Sequence, residues 1–377
     1  MKLLLINPVC GILSTGRVCA AIAEEYEAKG WEVKIAYGRR GYVPEKYRKY
    51  AVRIGNMLGV YLHALNSMIW GDHAVGLCSK FATQKFIKWA EEFRPDVVWL
   101  HNLHDNYINV EVLFAWLKSH PEIEIRWTHH DGWAFAGACA CLPEPDFCEQ
   151  WKSACIHCPK GMGLKRRGWF GGSERRQFLR KKKAFLGVKN MVMYSPSRWL
   201  AGLIKQGFLG QYEVKVLPNT IDKTIFKPTQ SDFRSRYNLL DKKIVLGVAG
   251  FWGPMKGFDD FIMLDQLLAG RVKIVMIGVG KQQMKLLPKS ILAIERLHDA
   301  VELAGIYTTA DVFFNPTKYD NYPTVNMEAR ACGCPVITYD TGGSAEPVEG
   351  YEKAIVLRGE EKTPEGCLRA LKVLGII

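Results

Sequence analysis

The stretch TKYDNYPTVNMEARACGCPVITYDTGGSAE, residues 317–346, decides the reading of this 377-residue chain. Just ahead of it, the apolar run 312–315 reads as a buried strand. After Pro323, an amphipathic pattern over 325–332 predicts a helix, and 335–339 predicts the next strand. Asp320 therefore lies on the loop between strand and helix, and Glu328 about one turn inside the helix. Peptide N–H groups at a helix start attract anions and hydroxyls. Two carboxylates flanking them accept hydrogen bonds from sugar hydroxyls more strongly than neutral side chains do. Taken alone, the plainer reading competes: Asp320 as a helix cap, Glu328 as a solvated helical residue.

Outward from this stretch the same alternation repeats. Residues 243–248 and 272–277 read as strands, 258–268 and 282–289 as helices. The first half offers strands at 2–7, 32–37, 96–101, 124–128 and 191–195, with helices at 17–29, 81–93 and 110–119. Strands alternating with helices predict parallel sheets covered on both faces. A chain of 377 residues exceeds one ordinary core. Residues 214–228, VKVLPNTIDKTIFKP, suit a linker. The expected fold is α/β, with two Rossmann-like doubly wound domains, 1–218 and 219–377, facing a cleft beyond the carboxyl ends of their strands. The opening MKLLLINPVCGIL has the look of a short signal peptide, yet it runs straight into Ser14-Thr15-Gly16-Arg17 and a helical pattern, as a first strand does. No stretch approaches the ~20 apolar residues of a membrane span.

Further candidate residues fall at strand ends. GVAGFWGPMKG, 247–257, follows a strand and precedes a helix; such a turn lets backbone amides near Gly253 approach a diphosphate, with Lys256 as a point charge. Gly278-Val279-Gly280 is a turn after the next strand, either plain or beside a nucleotide base. Gly16 and Arg17 open the first helix, where amides and guanidinium suit phosphate or acceptor hydroxyls. His101, Asn102, His104 and Asp105 follow one strand and His129-His130-Asp131 another, a clustering of ionisable groups that points to a ligand site. Asp131 either orients His130 or caps the next segment.

With these residues in place, 317–346 resembles the E-x7-E signature of retaining GT-B glycosyltransferases, the large fourth family that builds polysaccharides and lipopolysaccharides. Asp320 and Glu328 stand eight apart, followed by AxxCGxPVI and GGxxE. PSRWLA (196–201), PNTIDKTIFKP (218–228) and YTTADVFFNPT (307–317) extend the resemblance over most of the chain. It implies that Asp320 and the loop after it, Asn321, Tyr322, Pro323 and Thr324, contact the donor sugar, and that Glu328 holds the nucleotide ribose. It places Lys256 on the leaving diphosphate, and His130 of the T-x-H-D step on the donor sugar or reaction centre. The implied reaction occurs on one face of the donor: the acceptor hydroxyl attacks as the diphosphate leaves, and a diphosphate oxygen takes the proton. That scheme asks for charge stabilisation by Lys256 and helix termini rather than a protein base or a metal, and the chain has no D-x-D pair. Three positions depart from the family pattern. Asp320 stands for Glu, a reach shorter by ~1.5 Å; Phe251 stands for an Arg; and Leu13 stands where a Gly-Gly pair is usual.

Cys139, Cys141, Cys148, Cys155 and Cys158 fall within 20 residues. Four thiolates suit a closed structural zinc site. The expected ligands are Cys139, Cys148, Cys155 and Cys158, with Cys141 spare and His157 a substitute; free thiols or disulfides compete with this reading. The surrounding segment resembles an insertion, usually HDCWAFTGHCAYF, of a bacterial exopolysaccharide or colanic-acid subgroup, from which Gly132, Ala136, Ala138 and Cys141 depart. The insertion runs from about 132 to 183. From 160 to 183 there are ten Lys/Arg and one acid, Glu174, with Trp169-Phe170 among them. Such a run is either a solvated face or a contact with an anionic leaflet, where each charge adds ~1 kcal/mol.

The formal charge of +13 and pI of about 9.1 call for an anionic partner. The expected function is transfer of a hexose from a nucleotide-diphosphate sugar to a glycan acceptor, such as a polyprenyl-diphosphate-linked one, in surface polysaccharide biosynthesis. Three functions compete with it. A nucleic-acid-binding zinc protein would show salt-steep binding but leaves 320–346 without a role. A sugar-nucleotide epimerase would share the fold, and a catalytically inactive scaffold would account for the altered positions 251 and 320. The expected location is cytoplasmic, peripheral on the inner face of the membrane, without a nucleic-acid partner.

Overall fold

The computed structural model describes residues 1–71, 77–140, 148–156, 173–295, 297 and 299–377. They form two compact units, one ending at Pro218 and the other running Asn219–Ile377. The first carries seven strands: β1 (Lys2–Ile6), β2 (Glu32–Tyr37), β3 (Ala51–Arg53), β4 (Val97–Leu100), β5 (Glu124–Thr128), β6 (Met191–Ser195) and β7 (Glu213–Val216). They pair in parallel in the order β3-β2-β1-β4-β5-β6-β7. Leu3, Leu4, Leu5 and Ile6 are all fully buried, which is why MKLLLI is a central strand: both faces of a parallel sheet are covered.

The second unit holds β8 (Ile244–Val248), β9 (Lys273–Ile277), β10 (Leu292–Ile294), β11 (Val312–Asn315), β12 (Val336–Tyr339) and β13 (Ala354–Leu357). Their order is β10-β9-β8-β11-β12-β13, again parallel. Alternate side chains serve opposite faces. Val245, Ile274, Met276, Phe314 and Ile337 pack on the helices Phe258–Leu268 and Pro364–Val373. Leu246, Val275, Ile277, Phe313 and Val336 pack on Ala300–Thr309 and Thr324–Ala331. Each sheet reverses direction once, between β1 and β4 and between β8 and β11, so each unit has the doubly wound, Rossmann-like form.

Two expectations are corrected. The linker expected over 214–228 does not start at 214, because Glu213–Val216 joins the first sheet as β7, and Leu217 N–H still donates to Ser195 O at 2.8 Å. The helix expected over 282–289 is only Lys281–Met284. Pro288 cannot donate within a helix, and the chain moves on into β10.

The described part of the 132–183 insertion belongs to the first unit's core. Trp151 is buried against Phe135, rings 5.2 Å apart, and Phe178 of the helix Ser173–Phe185 meets Phe208 edge-on. The Lys181 ammonium is fully buried and donates to the carbonyl oxygens of Trp133 and Gly137. No helix among the described residues is long and apolar enough to cross a membrane.

Candidate functional site

In the second unit, three loops at the carboxyl ends of β8, β11 and β12 are stitched together. Lys318 N–H and Thr317 Oγ1 both donate to Met255 O, at 2.9 and 3.2 Å. Thr341 Oγ1 donates to Thr317 O at 2.6 Å, and Gly343 N–H to Asp320 O at 2.9 Å. The crossing is close enough to require glycine at 257: its φ is +70°, and a Cβ there would lie 2.6 Å from Pro316 O. The outcome is that Lys256 Nζ donates to Asp320 Oδ2 at 2.5 Å. Sequence reasoning placed these two residues in separate motifs; the fold brings them into one charged pair. A second pair lies beside it, Lys318 Nζ on Asp260 Oδ1 at 2.6 Å, with Tyr339 Oη donating to the same oxygen at 2.8 Å.

Beneath these groups is a buried spine of neutral side chains. Asn315 Nδ2 donates to Asn326 Oδ1 at 2.8 Å, and Asn326 Nδ2 donates to Ser344 O at 2.8 Å and to Thr338 Oγ1 at 3.3 Å. This spine fixes the start of the helix Thr324–Ala331, whose cap residue Pro323 supplies no side-chain acceptor and whose first turn has no acid. Its amide end is thus a ready site for an anion or hydroxyl. Asn321 is buried, and Tyr322 N–H donates to Asp320 Oδ1 at 3.4 Å. Glu328, further along this helix, accepts from the phenol of Tyr307 at 3.2 Å. Burial, followed by the neighbouring Glu328, pushes that phenol's pKa well up, so Tyr307 stays a donor. Tyr307 carried no signal of this role in the sequence.

The Gly278–Gly280 turn is less open than the sequence implies. The amides of Gly278 and Val279 both donate to Ile294 O, at 3.0 and 3.1 Å, and Gly280 N–H to Gln283 Oε1 at 3.2 Å. Gly278 has φ +87°, and a Cβ on it would collide with Ala249 O. Its absence of a side chain is therefore a packing need between the β8 and β9 loops. Gly253 precedes the short turn Pro254–Lys256, and Phe251, where the resemblance implies an Arg, is 74% exposed.

In the first unit the ends of β4 and β5 bring the histidines together. His101 Nδ1 and His130 Nε2 are 3.0 Å apart, rings stacked at 5.3 Å. Burial lowers both pKa values, that of His130 to about 4, so neither is protonated at neutral pH. One proton serves their contact. If His130 supplied it, His101 would keep a proton on Nε2, which has no partner among the described residues. Buried N–H groups without acceptors are rarer than buried acceptors without donors. The favoured arrangement has His101 donating through Nδ1, which leaves the proton of His130 on its own Nδ1. His129 is fully buried against Trp127 and Met193 and takes no part.

Asp131 binds His104 Nε2 at 2.8 Å and caps Trp133 N–H at 2.9 Å. His104 Nδ1 lies 3.2 Å from Asp105, itself 2.8 Å from Arg39. Burial works against the charge on His104, but Asp131 and Asp105 outweigh it and push its pKa up to about 10. Of the first loop, Gly16 is buried beneath Val9 while Arg17 is exposed on the helix Leu13–Ala28. Cys139, Cys148 and Cys155 are described, and Cys155 Sγ accepts from Gly137 N–H at 3.2 Å. Cys141, His157 and Cys158 lie outside the described residues, and among the described residues no three His, Cys, Asp or Glu are grouped to hold a metal.

Residues 242–374 match the family model described as glycosyl transferases group 1. The match lies within the second unit, Asn219–Ile377. Over 171 residues the chain is 30% identical to the D-inositol 3-phosphate glycosyltransferase of Stackebrandtia nassauensis, a stretch covering 40% of this chain and 39% of that relative's length. Over 69 residues it is 36% identical to the putative colanic acid biosynthesis glycosyl transferase WcaC of Escherichia coli, 17% of this chain and 16% of that one. Among solved structures, Anabaena Alr3699/HepE in complex with UDP and glucose shares the fold at TM-score 0.63 and 14% identity, covering 99% of this chain and 90% of that one.

Proposed function

We propose that this protein is a retaining, metal-independent hexosyltransferase that takes its sugar from a nucleotide diphosphate. The observation that carries the reading is the Lys256–Asp320 pair, set beside an uncapped helix N-terminus and held by a rigid neutral spine. Lys256 balances the charge that builds on the departing diphosphate. Asp320, Asn321 and the start of the helix take the sugar hydroxyls, and Glu328, backed by Tyr307, takes the ribose. Proteins similar to this chain bear glycosyltransferase names, and one was solved with UDP and glucose.

The acceptor we assign is a glycan on a polyprenyl diphosphate, elongated at the inner face of the membrane in surface polysaccharide assembly. His130, kept neutral by burial, contacts the donor sugar rather than removing a proton. A structural zinc on Cys139, Cys148, Cys155 and Cys158 would require these thiols to draw together, since the three described ones are not grouped for a metal in this structure. The Gly137 N–H to Cys155 Sγ bond is what a ligand thiolate draws from its surroundings. Metal analysis of the purified protein is expected to return close to one equivalent; a value below about a third counts against the site.

A thermal-shift screen with UDP, GDP and ADP tests the donor reading. One nucleotide is expected to stabilise the protein by about 2.7 kcal/mol when present at a hundred times its Kd, and Glu328→Ala is expected to abolish most of that shift. Equal shifts in wild type and Glu328→Ala would remove Glu328 from the ribose site.

A further inference from the structure

The helix Met57–Trp70, MLGVYLHALNSMIW, contains no Asp, Glu, Lys or Arg. Its inner face buries Val60, His63 and Ser67. Its outer face exposes Leu58, Tyr61, Leu62, Leu65 and Met68, with Leu58 and Tyr61 each 66% exposed. Positions 58, 61, 62, 65 and 68 follow helical spacing, so these side chains form one continuous stripe rather than scattered surface residues. The helix packs on Leu77–Phe93, which exposes Phe81 in turn.

Beside this stripe lies a basic one. The helix Ser173–Phe185 exposes Arg175, Arg176, Leu179, Lys182 and Lys183, again at helical spacing, while Gln177, Phe178, Lys181, Ala184 and Phe185 face inward. The two helices are joined directly: Arg176 Nη2 donates to Trp70 O, and Gln177 Nε2 to Gly71 O. The basic stripe therefore begins where the apolar one ends, within the same unit.

We propose that these two helices form a surface that docks on a lipid leaflet rich in anionic headgroups. The apolar stripe enters the boundary between headgroups and acyl chains, and the basic stripe lies along the headgroup phosphates. Charge selects this occupant. A second copy of the chain would bring another +13 formal charge, and a two-fold contact would set basic stripe near basic stripe. The inference deepens the membrane placement proposed above by naming the surface, and its test needs neither donor nor acceptor.

The test is co-sedimentation of the full 377-residue chain, free of nucleotide, with vesicles of phosphatidylcholine alone or mixed with phosphatidylglycerol. Wild type is expected to bind the mixed vesicles and to be released by salt. Leu62→Asp with Leu65→Asp is expected to weaken binding on the order of 100-fold. Arg175→Ala with Lys182→Ala is expected to weaken it about 25-fold at low salt. All four positions are exposed, so melting midpoints are expected to match wild type, which separates lost docking from lost fold. Binding unaffected by the Leu62/Leu65 pair, or no binding by wild type, would overturn the proposal. So would a stable dimer in solution that the same pair dissociates, which would assign the stripe to self-association. Nucleotide-induced thermal shifts in the docking variants are expected to equal wild type, so a failed docking surface leaves the transfer reading intact.

Discussion

Replacing Lys256 with alanine is expected to reduce turnover at saturating donor by about 10²–10³-fold, with a smaller change in donor affinity. Two effects combine. The ammonium that would meet the developing charge on the leaving diphosphate is gone, and that loss is felt most in the transition state. The Asp320 carboxylate, which Lys256 holds at 2.5 Å, is also left without its counter-charge and repels the same diphosphate. Converting Asp320 to Asn in the Lys256→Ala background is therefore expected to recover part of the donor affinity but little of the turnover. Steady-state kcat and KM on the purified variants decide the matter. A kcat within twofold of wild type would remove Lys256 from the reaction.

Asp131→Asn is expected to destabilise the first unit by about 2 kcal/mol near neutral pH, less than the cost of breaking a fully buried pair because both side chains are about a fifth exposed. The change leaves the protonated, half-buried His104 with Asp105 as its nearby carboxylate. The pH dependence follows from the two shifts. The pKa of His104 is raised from 6.5 to about 10, so its contribution is complete below 6.5 and is lost as pH rises through 10. Asp131 is shifted the other way: against the effect of burial, His104 holds it below the usual carboxylate value, so its contribution fades as the solution becomes acid. The penalty of Asp131→Asn should thus be largest between the carboxylate range and pH 6.5, and shrink as pH rises from there to 10. Urea unfolding followed by tryptophan fluorescence at pH 7 and pH 10 measures it, and an equal penalty at both would contradict the ion-pair account. The same cluster secures a loop whose backbone is unusual: Asp105 and Asn106 both have positive φ, held by Arg39 and by Ser67 Oγ respectively.

Much of the architecture was legible because period-2 and period-3.6 patterns report burial directly. Strands β2, β5, β6 and β11 and the helices Val110–Ser119 and Phe258–Leu268 have the bounds their apolar runs suggest. The helix Met57–Trp70 was missed because the usual cue, charge on the outer face, is absent from it. Edge strands β3 and β10 are three residues long, too short for periodicity to register. For the site, the motifs at 256–257 and 320–328 were readable one by one. That Lys256 reaches Asp320 was not, since it depends on β8 and β11 being neighbours across the reversal of strand order. Tyr307 behind Glu328 was equally hidden, a partner supplied by tertiary structure alone, whereas the contact of His101 with His130 falls within a cluster the strand ends already suggested.

The spine through Asn315, Asn326, Thr338 and Ser344 is made wholly of amides and hydroxyls. None of these groups titrates in the working range of an enzyme, and neutral hydrogen bonds respond weakly to ionic strength. The frame beneath Asp320 and the helix start should therefore keep its shape from mildly acid to alkaline buffer and across salt concentrations. Binding measurements over such a series would then read the ionisation of the ligand and of the rim carboxylates, against a scaffold that behaves as a fixed reference.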